Sequence, residues 1–219
     1  MIETERHGDV RVLYWRDGEN RVNLRSLECW HSALDELAAV EGPLALVVTG
    51  EGRFFSNGLD LDRFGEHPDE VGPVVDGLHR LIGRLLVFPA YTVAALNGHT
   101  FAAGAMISAT FDRRLMRSER GYWCLPEVDI GLALSPGMTA AVRARLPATA
   151  AAEAMLTGRR YGADDALAAG IVDEVVAPDE LLDRAVEIAG ATAGKDRKVL
   201  AIHKRQLFAD AARACGWTV

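Results

Sequence analysis

A chain of 219 residues is long enough for one sizeable domain, or two small ones, with a substantial buried core. At 49% hydrophobic and 25% charged residues it reads as globular and not disordered. A net charge of −7 speaks against broad nucleic-acid binding, which needs a basic face to displace counterions.

Asp9 to Tyr14 (DVRVLY) alternates apolar and polar residues, which predicts a half-buried strand, and Asp17-Gly18 supplies a turn. Ser26 is the expected cap of a helix on which Leu27, Trp30, Leu34 and Leu37 recur at helical spacing. Leu44 to Thr49 (LALVVT) is a continuous apolar run, as in a strand covered on both faces. Gly50 to Phe64, glycine-rich and mixed, reads as a loop. Helical periodicity runs from Val74 to Leu86 and stops before Pro89. Tyr91 to Leu96 predicts a second buried strand closed by Asn97-Gly98, Phe101 to Thr110 a helix of small residues, and Arg113 to Met116 a third strand. Ser135 to Leu146, Thr149 to Leu156 and Ala163 to Ala169 read as helices, and Ile171 to Val176 as a strand. Two further helices are expected over Asp179 to Ala193 and Asp196 to Ala212. Strands alternating with helices predict an α/β architecture with a largely parallel sheet.

Cys29, Cys124 and Cys215 are widely separated and form no metal-ligand spacing, so neither a disulfide scaffold nor a metal site is expected. The start MIETERHGDV lacks a signal-peptide core, and no apolar run is long enough to span a bilayer. A cytoplasmic location without a membrane partner is the expectation.

Three segments carry residues that local propensity does not explain. In GRFFSNGLDL (Gly52 to Leu61), Gly58 suits a tight turn where backbone approaches a ligand. In NGHTFAAGA (Asn97 to Ala105), a strand ends on Asn-Gly and a helix opens with only tiny side chains, leaving its free N–H groups accessible to negative charge. In PEVDIG (Pro126 to Gly131), an acid sits beside a proline and ahead of apolar residues. Taken singly, each has an ordinary structural explanation: a turn, close helix–sheet packing, a surface acid.

Together, GRFFSNGLDL, YTVAALNGHTFAAGA, Asp112, LPEVDIGLALSPG and TGRRYGADDALAAGIVDEVV resemble the crotonase (enoyl-CoA hydratase/isomerase) superfamily in order and spacing, from about Val10 to Val176. The resemblance implies a spiral of ββα units with a core over residues 1–194 and a short C-terminal helical extension over 195–219. It further implies a homotrimer or hexamer that binds an acyl-CoA thioester, coenzyme A being part of the substrate and no separate cofactor being needed. By position, the N–H groups of Leu59 and Ala103 would hold the thioester oxygen. One such donor is typically worth about 10²–10³ in rate. Ser56, Asn57, Gly58, Asp60, Leu61, Asn97 and Met106 are the corresponding substrate-binding positions, and Glu127 the catalytic carboxylate.

The chain departs from the hydratases at one point. They place a second glutamate three residues beyond the second oxyanion-hole donor, where this sequence has Met106. Methionine cannot exchange a proton, so two-carboxylate water addition lacks a partner. A single acid suffices to move a double bond from C3 to C2, and the pattern is similar to the plant and peroxisomal Δ3,Δ2-enoyl-CoA isomerases. The competing readings are a hydratase or acyl-CoA hydrolase using Asp129 or Glu66 as a second acid, and a non-catalytic acyl-CoA-binding protein. His99 is read as a supporting contact behind the site. Arg53 and the basic run Lys195 to Arg205 are candidate phosphate contacts, for which a solvated face is the simpler account.

Overall fold

The computed structural model describes residues 1–219. A hairpin opens the chain, β1 (Ile2–His7) pairing antiparallel with β2 (Val10–Trp15) around Gly8. The polar sequence IETERH and its exposed side chains explain why periodicity does not announce β1. Helix α1 (Leu24–Ala38) follows, then β3 (Ala45–Gly50), β4 (Phe54–Ser56), α2 (Leu61–Glu66) and α3 (Val71–Leu86). The expected loop over Gly50 to Phe64 is thus corrected: it holds a three-residue strand and the start of a short helix, both too brief to show a period. Next come β5 (Tyr91–Leu96), β6 (His99–Phe101), α4 (Ala103–Ala109), β7 (Arg113–Arg117) and β8 (Trp123–Cys124). The chain ends with α5 (Pro136–Arg145), α6 (Ala148–Thr157), α7 (Ala163–Ala168), β9 (Glu174–Val176), α8 (Leu181–Ala193) and α9 (Arg197–Ala214). The strand expected from Ile171 begins only at Glu174, because the Ile171 and Val172 N–H groups cap the end of α7 on the Ala166 carbonyl.

The large sheet runs β1-β2-β3-β5-β7-β9 and is parallel from β2 onward. A second, smaller parallel sheet runs β4-β6-β8. Each of the strand pairs β3/β4, β5/β6 and β7/β8 sends its first strand to the large sheet and its second to the small one before a helix follows. This is the spiral of ββα units that the sequence resemblance implies.

All six residues of β3 are buried because helices cover both faces of the sheet. Ala45 and Val47 pack with Val10, Val12 and Val93 under Ala185 and Ala189 of α8. Leu46 and Val48 face the other way, into a core with Leu13, Trp30, Leu34, Leu78 and Leu81. Full burial of such a side chain contributes about 1.5–3 kcal/mol.

The α1 cap also differs from expectation. Asn23, not Ser26, is the N-cap: its side chain accepts from the Ser26 N–H at 3.0 Å, and the Ser26 hydroxyl accepts from the Asn23 N–H at 2.9 Å. Asn23 Nδ2 also donates to Asp60 at 3.0 Å, tying the helix start to the Gly58 loop. Asn23→Ala should cost about 1 kcal/mol, lowering Tm by about 2–4 °C in thermal denaturation.

Helix α9 lies against α3 and α5, burying Phe208, Ala211 and Ala212. Gly83 allows the approach, since a Cβ there would stand 2.6 Å from the Trp217 Cβ. Two residues of the basic run are engaged here. Lys204 is 3% exposed, pairs with Asp112 at 2.5 Å and donates to the Ala90 carbonyl at 2.9 Å. Arg197 donates to the Pro89 carbonyl at 2.9 Å and also to Val40. Neither is free to meet a phosphate. No helix of the chain is long and apolar enough to cross a membrane.

Candidate active site

The loop after β4 is held from behind. The buried Ser56 hydroxyl donates to the Asn20 carbonyl at 2.7 Å and accepts from the Gly58 N–H at 3.2 Å. Asn57 donates from Nδ2 to Glu19 at 2.8 Å. Val22 clasps the turn, its N–H donating to the Gly58 carbonyl and its carbonyl accepting from Asp60. The Leu59 N–H between them has no acceptor within the protein. Gly58 takes φ +84°, a region open to glycine at no steric cost.

The entry to α4 is strained. Ala102 sits at φ 50°, ψ −121°, a sparsely populated region for a residue with a Cβ and one that costs about 1–3 kcal/mol. Two hydrogen bonds hold it: its N–H donates to the Cys124 carbonyl and its carbonyl accepts from Met106, both at 3.0 Å. Ala103, the first helical residue, has no intrahelical acceptor for its N–H. The two segments meet backbone to backbone. A Cβ on Gly58 would lie 2.8 Å from the Ala102 Cβ and 3.5 Å from the Ala103 nitrogen, and one on Gly104 would lie 2.5 Å from the Ser56 Cβ. The small residues at 102 to 104 are therefore required by packing as well as by access.

Glu127 stands on a 3₁₀ turn over Pro126–Val128 and is 8% exposed. Its Oε2 is buried without a hydrogen-bond partner. Burial disfavours the charged form and pushes the carboxyl up to about 7. The residue faces a cavity of about 430 Å³. Leu59, Ala102, Ala103 and Met106 line this cavity together with Val71, Val75 and Leu78 of α3. Leu134, Ser135 and Met138, around the start of α5, close it. Glu127 is the only acid in the lining, and Met106, 3% exposed, presents a thioether where a second carboxylate would be needed. What results is an apolar pocket with two unpaired backbone donors and a carboxyl pushed up to about 7 by burial.

Of the positions expected to bind substrate, Asn57, Leu59, Leu61, Ala103, Met106 and Glu127 line the cavity. Ser56 and Gly58 lie behind them as supports. Two expectations are corrected. The Asn97 side chain is spent on backbone, Oδ1 accepting from the Gly50 N–H at 2.9 Å and Nδ2 donating to Phe54 at 3.3 Å. Asp60 faces Arg21 and Asn23 on the outer side of the loop. Neither Asp129 nor Glu66 lines the cavity. His99 packs among Phe54, Phe101 and Tyr122, one layer behind the wall that Phe101 provides. Burial, then Arg53, Arg160 and Arg120, lowers its pKa. Arg53 lies over the Phe54 ring. Cys124 is buried, with its thiol pushed up to about 11 by desolvation, which makes it an inert thiol. The unusual conformation of Ala102, and a polar contact between Ser135 and His79, have no sequence signal: alanine does not advertise positive φ, and the pair is 56 residues apart.

Residues 18–215 match the enoyl-CoA hydratase/isomerase family. The chain belongs to that family. Enoyl-CoA delta isomerase 2, peroxisomal, of Arabidopsis thaliana is 33% identical over 190 residues, 82% of this chain and 79% of that protein. Enoyl-CoA delta isomerase 3 of the same plant is 30% identical and spans 97% of this chain and 94% of its own length. A putative enoyl-CoA hydratase of Thermus thermophilus is 36% identical over 95% of this chain and 84% of its own. Among solved structures, a probable enoyl-CoA hydratase from Mycobacterium tuberculosis superposes with a TM-score of 0.89 at 28% identity, covering 98% of this chain and 91% of that one. A second structure of that same protein, described there as an enoyl-CoA isomerase, gives 0.88 at 28% identity over 98% and 94%.

Proposed function

We propose that the protein is an isomerase that converts 3-enoyl-CoA to 2-enoyl-CoA with Glu127 as its one proton carrier. The observation that carries this reading is the solitary Glu127 carboxyl, buried with an unpartnered Oε2 in a cavity that Met106 also lines. The thioester oxygen accepts hydrogen bonds from the Leu59 and Ala103 N–H groups. Glu127 as carboxylate removes a proton from C2, and the electron pair spreads over C2 and the thioester carbonyl to give a dienolate. The oxygen lone pair then restores the thioester carbonyl, the C1–C2 pair moves to C2–C3, and the C3–C4 pair takes the proton back from Glu127 to form the new C4–H bond. Nothing is consumed. An apolar wall favours this over water addition, because it offers no second acid or base to activate a water for attack at C3 of the conjugated product. The relatives named delta isomerases support the same reading. Water addition or hydrolysis with Asp129 or Glu66 as partner acid lacks support, since both lie outside the cavity lining.

Purified protein given 3-hexenoyl-CoA should form the conjugated 2-enoyl ester, followed by its ultraviolet absorbance. Formation of 3-hydroxyhexanoyl-CoA or release of free thiol in its place would overturn the proposal, and CoA-ester binding without turnover would favour a binding protein. The general base must be ionised to act, and its carboxyl sits at about 7. kcat/KM should therefore rise about tenfold per pH unit below 7 and level off above it. Initial rates between pH 5.5 and 9 check this, and a profile flat across that range excludes Glu127 as the titrating base. A cytoplasmic site of action and assembly as a homotrimer or hexamer belong to the same proposal. Exposed Val199, Ile202 and Leu207 on α9 and Leu156 on α6 are the apolar surface such an assembly would cover.

A further inference from the structure

Fifteen of the nineteen residues that line the cavity are hydrophobic, and Ser135 supplies the one hydroxyl. Its oxygen accepts from the Met138 N–H at 3.1 Å as the cap of α5, and it lies 2.6 Å from His79 Nε2 on α3. A serine hydroxyl has one proton to give and two lone pairs to fill. Two of these three capacities are used inside the protein, which leaves one for the cavity.

His79 decides which one is left. When Nε2 carries its proton it donates to Ser135, the second lone pair is filled, and the hydroxyl proton turns to the cavity. When Nε2 is bare, Ser135 donates to it and keeps a lone pair for the cavity. A ligand group that both donates and accepts is matched in either state. A hydroxyl does both, whereas a keto or ether oxygen only accepts.

Ser135 and His79 are half-buried, and a ligand that covers them must match the hydroxyl, since leaving it unpaired under an apolar group costs binding energy. Asn57 gives one Nδ2 hydrogen to Glu19, and its remaining amide capacity lies on the loop that carries the Leu59 donor, not beside α5.

We propose that Ser135, oriented by His79, is a specificity-determining contact that selects acyl-CoA esters bearing a hydroxyl beyond C4 of the chain. The inference rests on the reading of the cavity as an acyl-CoA site, but not on isomerisation as the reaction. Saturated esters, which cannot isomerise, separate the two.

The experiment measures Kd by calorimetry for octanoyl-CoA and for its 5-, 6-, 7- and 8-hydroxy derivatives. The quantity of interest is the ratio of the octanoyl Kd to each hydroxyoctanoyl Kd. For at least one positional isomer this ratio should be about five- to tenfold larger in the wild type than in Ser135→Ala, the scale of one neutral hydrogen bond. Ser135→Thr, which keeps the hydroxyl and the cap, should restore it. His79→Leu leaves the Ser135–Met138 cap in place yet should lower the same ratio, so a folding defect in Ser135→Ala does not decide the outcome. Equal ratios in wild type, Ser135→Ala and His79→Leu for all four isomers overturn the proposal. Failure of every ester to bind removes the acyl-CoA reading and this inference together. Binding with the expected ratios but no turnover of 3-hexenoyl-CoA removes only the isomerase assignment.

Discussion

Glu127→Gln should lower kcat for 3-hexenoyl-CoA isomerisation by about 10³-fold, within the 10²–10⁴ range of a positioned acid–base group. The amide keeps the volume and polarity of the side chain but carries no proton between C2 and C4. KM should change little, because substrate affinity rests on the CoA moiety and the apolar wall. The same substitution makes a second, independent prediction through stability. The carboxyl has a folded-state pKa of about 7 against an ordinary 4.5, so the folded protein holds its proton more tightly than the unfolded chain does. That contribution is complete below pH 4.5 and is lost as pH rises through 7. The wild type should therefore weaken relative to Glu127→Gln across this window, by on the order of 3 kcal/mol at most. Denaturant melts of both proteins at pH 5 and pH 8 measure it. An unchanged isomerisation rate in the variant would sink the single-carboxylate mechanism, whatever the melts show.

Gly58→Ala should reduce kcat by about 10²–10³-fold, the loss expected when one oxyanion donor is displaced. Two causes act at once. The residue holds φ +84°, which disfavours any side chain, and the new Cβ would fall 2.8 Å from the Ala102 Cβ and 3.1 Å from the Phe101 carbonyl. Relief requires the loop to move away from α4, which separates the Leu59 and Ala103 N–H groups. Gly52→Ala is the control. It shares the left-handed backbone at φ +69° but has nothing within 4 Å of its added Cβ, so strain without displacement should leave kcat within a few-fold of wild type. Equal effects of the two substitutions on kcat would show that backbone strain alone is responsible, and that the close approach of the two segments is not needed.

The sequence determined the architecture because burial is written locally. A strand covered on both faces is a continuous apolar run, as Leu44 to Val48 is, and a core-facing helix repeats its apolar residues as Leu27, Trp30, Leu34 and Leu37 do. The acid at 127 and the methionine at 106 could likewise be set against each other before any coordinates, by the order and spacing of the segments that carry them. Short or polar elements such as β1 and β4 lacked enough residues, or enough buried ones, to show a period.

The tertiary structure decided which polar groups remained free. Asn97 and Asp60 look like ligand contacts in sequence, yet Gly50, Phe54, Asn23 and Arg21 engage them. Lys204 looks like a surface base and is buried against Asp112. Leu59 and Ala103 keep unpaired N–H groups because of the Val22 clasp and the strained turn at Ala102, neither of which has a local signature. Hydrophobic pattern is a property of neighbours along the chain. The partner of a buried hydrogen-bonding group is chosen by residues tens of positions away, and only the fold brings them together.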